Sequence, residues 1–183
     1  MGRTKQLLPI GGRPMLQHVV DTAAGAGLDE IVVVLGHDAD AVRASVELPA
    51  EARVVVNPEF ATGQASSLRA GLAAASPDSE AAVVLLGDQP GVAVPAVRAV
   101  VEAFLRTGAR VVRARYGGTG GHPVLLARKT WGELGTLEGD VGARELIARH
   151  PEWVTDADVG GDPPPDVDTD ADYERLLRDT KHT

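Results

Sequence analysis

The 183-residue chain contains no cysteine. That excludes a disulfide scaffold, Cys-type zinc and iron–sulfur sites, and a thiol nucleophile. Aromatic residues make up only 3% of it, too few for the stacking platforms that grip single-stranded nucleic acid. Cations are also scarce: 18 Lys and Arg face 26 Asp and Glu, a formal charge of −8, so no nucleic-acid partner is expected. No run approaches the roughly 18 consecutive apolar residues of a membrane span, and the start, MGRTKQLLPIGG, has no apolar signal-peptide core. Gln6 stands where N-myristoylation requires Ser or Thr. The expectation is a cytoplasmic protein with no membrane partner. A hydrophobic content of 44% is that of a globular chain, and the length is that of one domain, residues 1–183.

Short apolar, β-branched runs alternate with helical patterns. The runs are Glu30–Gly36, Arg53–Asn57 and Ala82–Gly87, with weaker ones at Arg110–Ala114 and His122–Leu126. Continuous apolar runs of this length suit strands covered on both faces, as in a parallel sheet. A helix is predicted from Pro14, with Met15, Leu16, Val19, Val20 and Ala23 on one face and a stop at Gly25 or Gly27. Ala65, Leu68 and Leu72 share a second helical stripe, and Val97, Val100, Val101 and Phe104 a third. Shorter helices are predicted over Arg144–His150 and Asp172–Arg178. Such alternation implies right-handed crossovers and an α/β fold: a Rossmann-like, doubly wound, mostly parallel sheet. Seven Asp crowd into residues 156–172 beside Pro163-Pro164-Pro165, which reads as a rigid polar loop.

Five segments carry polar chemistry. Met1-Gly2-Arg3-Thr4-Lys5 offers a lysine to a phosphate, or is a solvated chain end. Leu86-Gly87-Asp88-Gln89-Pro90 puts Asp88 at the carboxyl end of a buried strand, where open α/β sheets bind ligands; the same Asp would also suit a turn. Asp166-Val167-Asp168-Thr169 precedes a helix, which Asp168 or Thr169 would cap. Asp88 and Asp168 together suggest a two-carboxylate Mg²⁺ site, since hard cations take oxygen ligands. In Asn57–Leu72, Gly63, Ser66 and Ser67 open a helix whose free N–H groups suit a polar or anionic ligand, although ordinary serine capping explains them as well. Gly117–Pro123 and Gly139–Arg144 bring glycines next to His122 and Arg144, either for close backbone approach or simply in a hairpin loop. Neither matches G-x-G-x-x-G, so there is no dinucleotide fingerprint.

In this order, MGRTKQLLPIGGRPMLQHVV, NPEFATGQASSLRAGL, VVLLGDQPGV, GGHPVLLARKTWGELGTLEGDVGARELI and DVDTDADYERL resemble the MobA-like nucleotidyltransferases, in particular their molybdenum cofactor cytidylyltransferase branch. The resemblance implies Mg²⁺-dependent transfer of CMP from CTP to the phosphate of molybdopterin, with release of pyrophosphate and delivery of the product to a molybdoenzyme. It implies that Lys5 neutralises triphosphate charge, that Gly87 and Asp88 belong to the Gly-Asp-x-Pro metal motif, and that Asp168 is the second metal carboxylate. Gly63 and Ser67 match the segment contacting the base. His122, Pro123, Asp140 and Arg144 match motifs on the acceptor side, where a guanidinium suits an anion. The family opens with an apolar strand and a Gly-rich loop of the kind LAAGxSxR before MGxxKxLLP. On this resemblance the first, central strand is expected to be missing, with Met1 an internal methionine or the start of a truncated chain.

Other readings remain. Guanylyl or other nucleotidyl transfer differs only in donor, and the Met-Gly-x-x-Lys spacing resembles the cytidylyl type. A non-catalytic nucleotide-binding protein is favoured by the absent phosphate loop and opposed by the retained Lys5, Asp88 and Asp168. An oxidoreductase acting on a nicotine-derived pigment, the role of one relative with this pattern, lacks its dinucleotide fingerprint here.

Overall fold

The computed structural model describes residues 4–139 and 141–180. Three-residue 3-10 helix Lys5–Leu7 leads into a small antiparallel hairpin, β1 (Pro9–Ile10) and β2 (Arg13–Pro14), turned by Gly11 and Gly12 at positive φ. Helix α1 (Met15–Ala26) follows directly and stops at Gly27 in the left-handed conformation, as the glycine there predicts. Then come β3 (Ile31–Leu35), α2 (Ala39–Ser45), β4 (Ala52–Val56), α3 (Gln64–Ala74), β5 (Ala81–Val84) and α4 (Val94–Thr107). The last part holds β6 (Val111–Tyr116), β7 (Thr119–Ala127), α5 (Trp131–Leu134), α6 (Ala143–Arg149), β8 (Val154–Asp158) and α7 (Asp170–Thr180).

The fold is α/β, as expected. β3 and β4 pair in parallel. The larger sheet has the order β5-β7-β6-β8, in which β5, β6 and β8 run one way and β7 alone runs against them. Residues of β6 and β7 alternate between two cores. Val111, Val124 and Leu126 pack with Ala65, Leu134 and Leu146 from α3, α5 and α6. Val112, Ala114 and Leu125 pack on the other face with Val100 and Ala103 of α4. Helices on both faces explain why consecutive positions such as Val111–Val112 and Val124–Leu126 are all apolar.

Coverage is thinner elsewhere. The Arg53–Asn57 run was expected to be buried on both faces, yet β4 is a sheet edge with no fully buried residue, and Val56 is 58% exposed. β5 is only half-buried along its length. Among the described residues β3 pairs only with β4 and β5 only with β7, so each keeps an open edge. Helix α3 lies against both pieces. The absent side chain of Gly71 lets it approach β3, a Cβ there falling 3.1 Å from Val34 Cγ2, while Leu68 and Leu72 join the core that includes Val84 of β5. The polar stretch read as loop from Asp156 begins inside strand β8. Its partner β6 supplies the parallel hydrogen bonds, and Arg113 neutralises Asp156 at 2.8–2.9 Å. A tertiary ladder there overrides an unfavourable composition.

No helix among the described residues is long and apolar enough to cross a membrane. Leu126 is fully buried in the strand between β5 and β6. Leu126→Ala is expected to cost about 2–5 kcal/mol, read as a lower urea midpoint at unchanged slope. A loss under about 1 kcal/mol would show that this core collapses around the cavity.

Candidate active site

The site is built at the carboxyl end of β5. After Val84 the chain turns through Leu85–Gln89, with Gln89 N–H donating to Leu86 O at 3.2 Å and Val92 N–H to Gln89 O at 3.3 Å. A Cβ added at Gly87 would fall 3.5 Å from Leu16 Cδ1 and 3.8 Å from Gln6 Cγ, so the turn carrying Lys5 lies beside it. The acidic segment crosses the same mouth. Val167 is 1% exposed in a small core with Leu8, Ile10, Met15 and Tyr173, and its N–H donates to Asp88 O at 3.0 Å. Tyr173 Oη donates to Pro9 O at 2.5 Å, fastening α7 to the first hairpin.

Burial of Val167 leaves its neighbours Asp166 and Asp168 exposed at the mouth. Lys5 Nζ donates to Asp168 Oδ1 at 2.7 Å, in a pair whose carboxylate is 64% exposed. Gln89 Nε2 donates to Asp166 Oδ1 at 2.6 Å. Burial, and next the Asp166 charge, push the Asp88 carboxyl up from its ordinary value; a hydrogen bond from its own backbone and the Lys5 charge oppose them. An ionised Asp88 is thus undercompensated by protein groups alone.

His122 comes from β7. The peptide bond to Pro123 is cis, and Pro123 is buried in the strand. His122 Nδ1 lies 3.2 Å from Val84 O. A carbonyl only accepts, so Nδ1 carries the proton and Nε2 keeps a lone pair. Burial pushes this imidazole down from 6.5, against the opposing charges of Asp166 and Asp88, while Arg144 lowers it further. His122, Asp88, Asp166 and Arg144 therefore share one electrostatic environment.

Gly63 and Ser67 form a second group at the start of α3. Gly63 has φ 114°, a value glycine tolerates best. Buried Asn57, at the end of β4, donates from Nδ2 to Ser66 Oγ at 2.8 Å and to Ser67 Oγ at 3.1 Å. The two groups approach through the loop before α6: Ala65 N–H donates to Gly139 O at 3.2 Å, and Gly142 packs closely on Gln64. Arg144 is exposed in the first turn of α6. Asp140, expected on the acceptor side, lies outside the described residues. The glycines at 117 and 118 have a plain structural purpose: both adopt positive φ in the two-residue β6–β7 hairpin loop.

Sequence reasoning missed Asp166 as a member of the site, along with Gln89 and Asn57. The alternation Asp166-Val167-Asp168 carried a signal for the first, because an extended segment that buries its middle residue turns both carboxylates the same way. Among the described residues no three His, Asp or Glu side chains are gathered tightly enough to hold a metal alone. A divalent cation at Asp88 would draw further oxygens from water and nucleotide phosphate, the usual habit of Mg²⁺.

Residues 1–154 match the MobA-like NTP transferase domain. The chain is 35% identical to nicotine blue oxidoreductase of Paenarthrobacter nicotinovorans, over 94% of this chain and 87% of that one. Its fold superposes on crystalline Rv0371c of Mycobacterium tuberculosis in complex with manganese, with a TM-score of 0.84 and 36% identity, over 97% of this chain and 93% of the other. It shares its fold with CMP:2-keto-3-deoxy-manno-octonic acid synthetase complexed with CTP, at a TM-score of 0.80 and 15% identity over 99% and 94% of the two chains. The chain belongs to the MobA-like NTP transferase family and is an enzyme of nucleotidyl transfer.

Proposed function

We propose that this enzyme transfers a nucleoside monophosphate, CMP from CTP, to the phosphate of a molybdopterin-type acceptor. One observation carries the reading: Lys5, Asp88, His122 and the Asp166–Asp168 segment, far apart in sequence, meet at the carboxyl end of β5. In the reaction an oxygen of the acceptor phosphate attacks the α-phosphorus of the triphosphate. A new P–O–P bond forms, the bond from the α-phosphorus to the bridging oxygen breaks, and pyrophosphate leaves with that electron pair. The nucleophile is already ionised, so no strong base is needed and the protein contributes position and charge.

Lys5 exchanges Asp168 for triphosphate oxygens. Gly63 and Ser67, held by Asn57, take the base, and Gly87 keeps the mouth of β5 open beside Leu16. Arg144 and the His122–Pro123 segment face the acceptor, with Asp140 assigned there by the family resemblance. His122 enters the ligand-binding step neutral and offers a lone pair at Nε2. Asp88 and Asp168 are the carboxylates suited to a divalent cation, Mg²⁺ in the cell, and the undercompensated Asp88 fits that role. When bound, such an ion would supply positive charge to offset that of the reacting phosphates. The product would pass to a molybdoenzyme.

Pyrophosphate release is expected with CTP, Mg²⁺ and a molybdopterin acceptor, and to fall on the order of 10²-fold or more in Lys5→Ala and Asp88→Asn. Because folding disfavours the Asp88 charge, Asp88→Asn should unfold no earlier than the parent at pH 7. Absence of turnover with any nucleoside triphosphate, in folded protein, would end the transferase reading. The resemblance to nicotine blue oxidoreductase supplies a second reading, separated by pigment-dependent oxidation of a reduced nicotinamide cofactor.

The lowered His122 value has its own consequence. Below about pH 6.5 the unfolded chain takes up a proton that the folded chain refuses, so this residue lowers stability as pH falls. Its ring should titrate below 6.5 by NMR, and His122→Gln should flatten the loss of stability as pH falls below about 6.5. An unchanged slope would mean that the imidazole is freely hydrated.

A further inference from the structure

The Gly-Asp-x-Pro motif accounts for Asp88 but gives its third residue no task. In this chain that residue is Gln89, which is only 7% exposed. Its Nε2 reaches out of the buried turn to Asp166 Oδ1 at 2.6 Å. Its Oε1 is buried and has no hydrogen-bond partner among the described residues. An amide oxygen left unpaired in so buried a place is costly, so the geometry calls for a compensating ligand. Asp166 meanwhile hangs on the segment whose next residue bonds to the Asp88 carbonyl. Gln89 therefore spans the two arms of the mouth, fixed at its backbone to one and at its amide to the other.

We propose that Gln89 is a positioning residue that holds Asp166 toward Asp88, making Asp166 a carboxylate of the cation site beside Asp88, and that the free Gln89 Oε1 accepts a hydrogen bond from cation-bound water. The inference rests on the nucleotidyl-transfer reading of the same site. It also gives the site an order. Asp168 begins paired to Lys5, whereas Asp166 pairs with no cation among the described residues and is held by Gln89. Asp88 and Asp166 can thus receive a divalent ion before Lys5 has released Asp168.

The test is Mn²⁺ binding to the full chain without nucleotide, followed by the loss of the free-ion electron paramagnetic resonance signal, with thermal unfolding of every variant alongside. Asp166→Asn is expected to weaken binding about tenfold or more. Gln89→Met keeps the buried volume but cannot donate, and it should weaken binding on the order of tenfold, the usual scale for a residue that orients a ligand. The deciding variant is the double one. If Gln89 acts through Asp166, Gln89→Met adds nothing in the Asp166→Asn background; a purely structural Gln89 would add its full effect there. Parent-like affinity in Asp166→Asn, or additive losses in the double variant, overturns the proposal while leaving the transferase reading intact, provided Asp88→Asn still abolishes binding. If the parent chain binds no Mn²⁺ the proposal falls, while turnover with nucleotide still decides the transferase reading; if Asp88→Asn binds Mn²⁺ normally, both fall together.

Discussion

One backbone hydrogen bond, Val167 N–H to Asp88 O, holds the candidate site together. It ties an acidic, proline-rich segment that has no regular structure of its own to the turn after β5. The bond is effective because the Val167 side chain is buried with Leu8, Ile10, Met15 and Tyr173, which fixes where the segment crosses. Hydrophobic burial of one residue thereby sets the position of two carboxylates. The bond and the burial together hold the segment against the mutual repulsion of Asp166, Asp168 and Asp88.

The same small core joins the two ends of the described chain. The first hairpin delivers the Lys5 turn, the last helix delivers Tyr173, and the Tyr173 hydroxyl bonds to the Pro9 carbonyl. The Lys5–Asp168 ion pair is a consequence of that apposition rather than its cause, because an exposed pair of this kind contributes little stability. A weak pair has an advantage in a binding site: Lys5 can leave Asp168 for an incoming phosphate at small cost.

Much of this was legible in the sequence, for identifiable reasons. Helix α1 could be read from its apolar face and Gly27, and β3, β6 and β7 from their β-branched runs, because local pattern and tertiary environment agree there. The strand β8 was hidden because Asp156 and Asp158 look like loop, and only the distant Arg113 makes Asp156 acceptable in a ladder. Helix α2 was likewise missed: it is short, and one residue, Val42, is all it buries deeply. In the site, Lys5, Asp88 and Asp168 stood out by family motif. Gln89 did not, since neither its burial nor its bond to a residue 77 positions away leaves a trace in local sequence.

The negative charge of the chain also takes on a local meaning. A mouth bearing Asp88, Asp166 and Asp168 is hostile to a polyanion, and Lys5 and Arg144 are too few to reverse its field. On the proposed function, a nucleoside triphosphate entering with a divalent cation would change the balance twice, by bringing positive charge to the carboxylates and by drawing Lys5 to the phosphates. Affinity for the cation and affinity for the nucleotide are then coupled, each raising the other by the same factor. On the proposed function, acidic residues that would merely repel a bare triphosphate would favour the metal-loaded one.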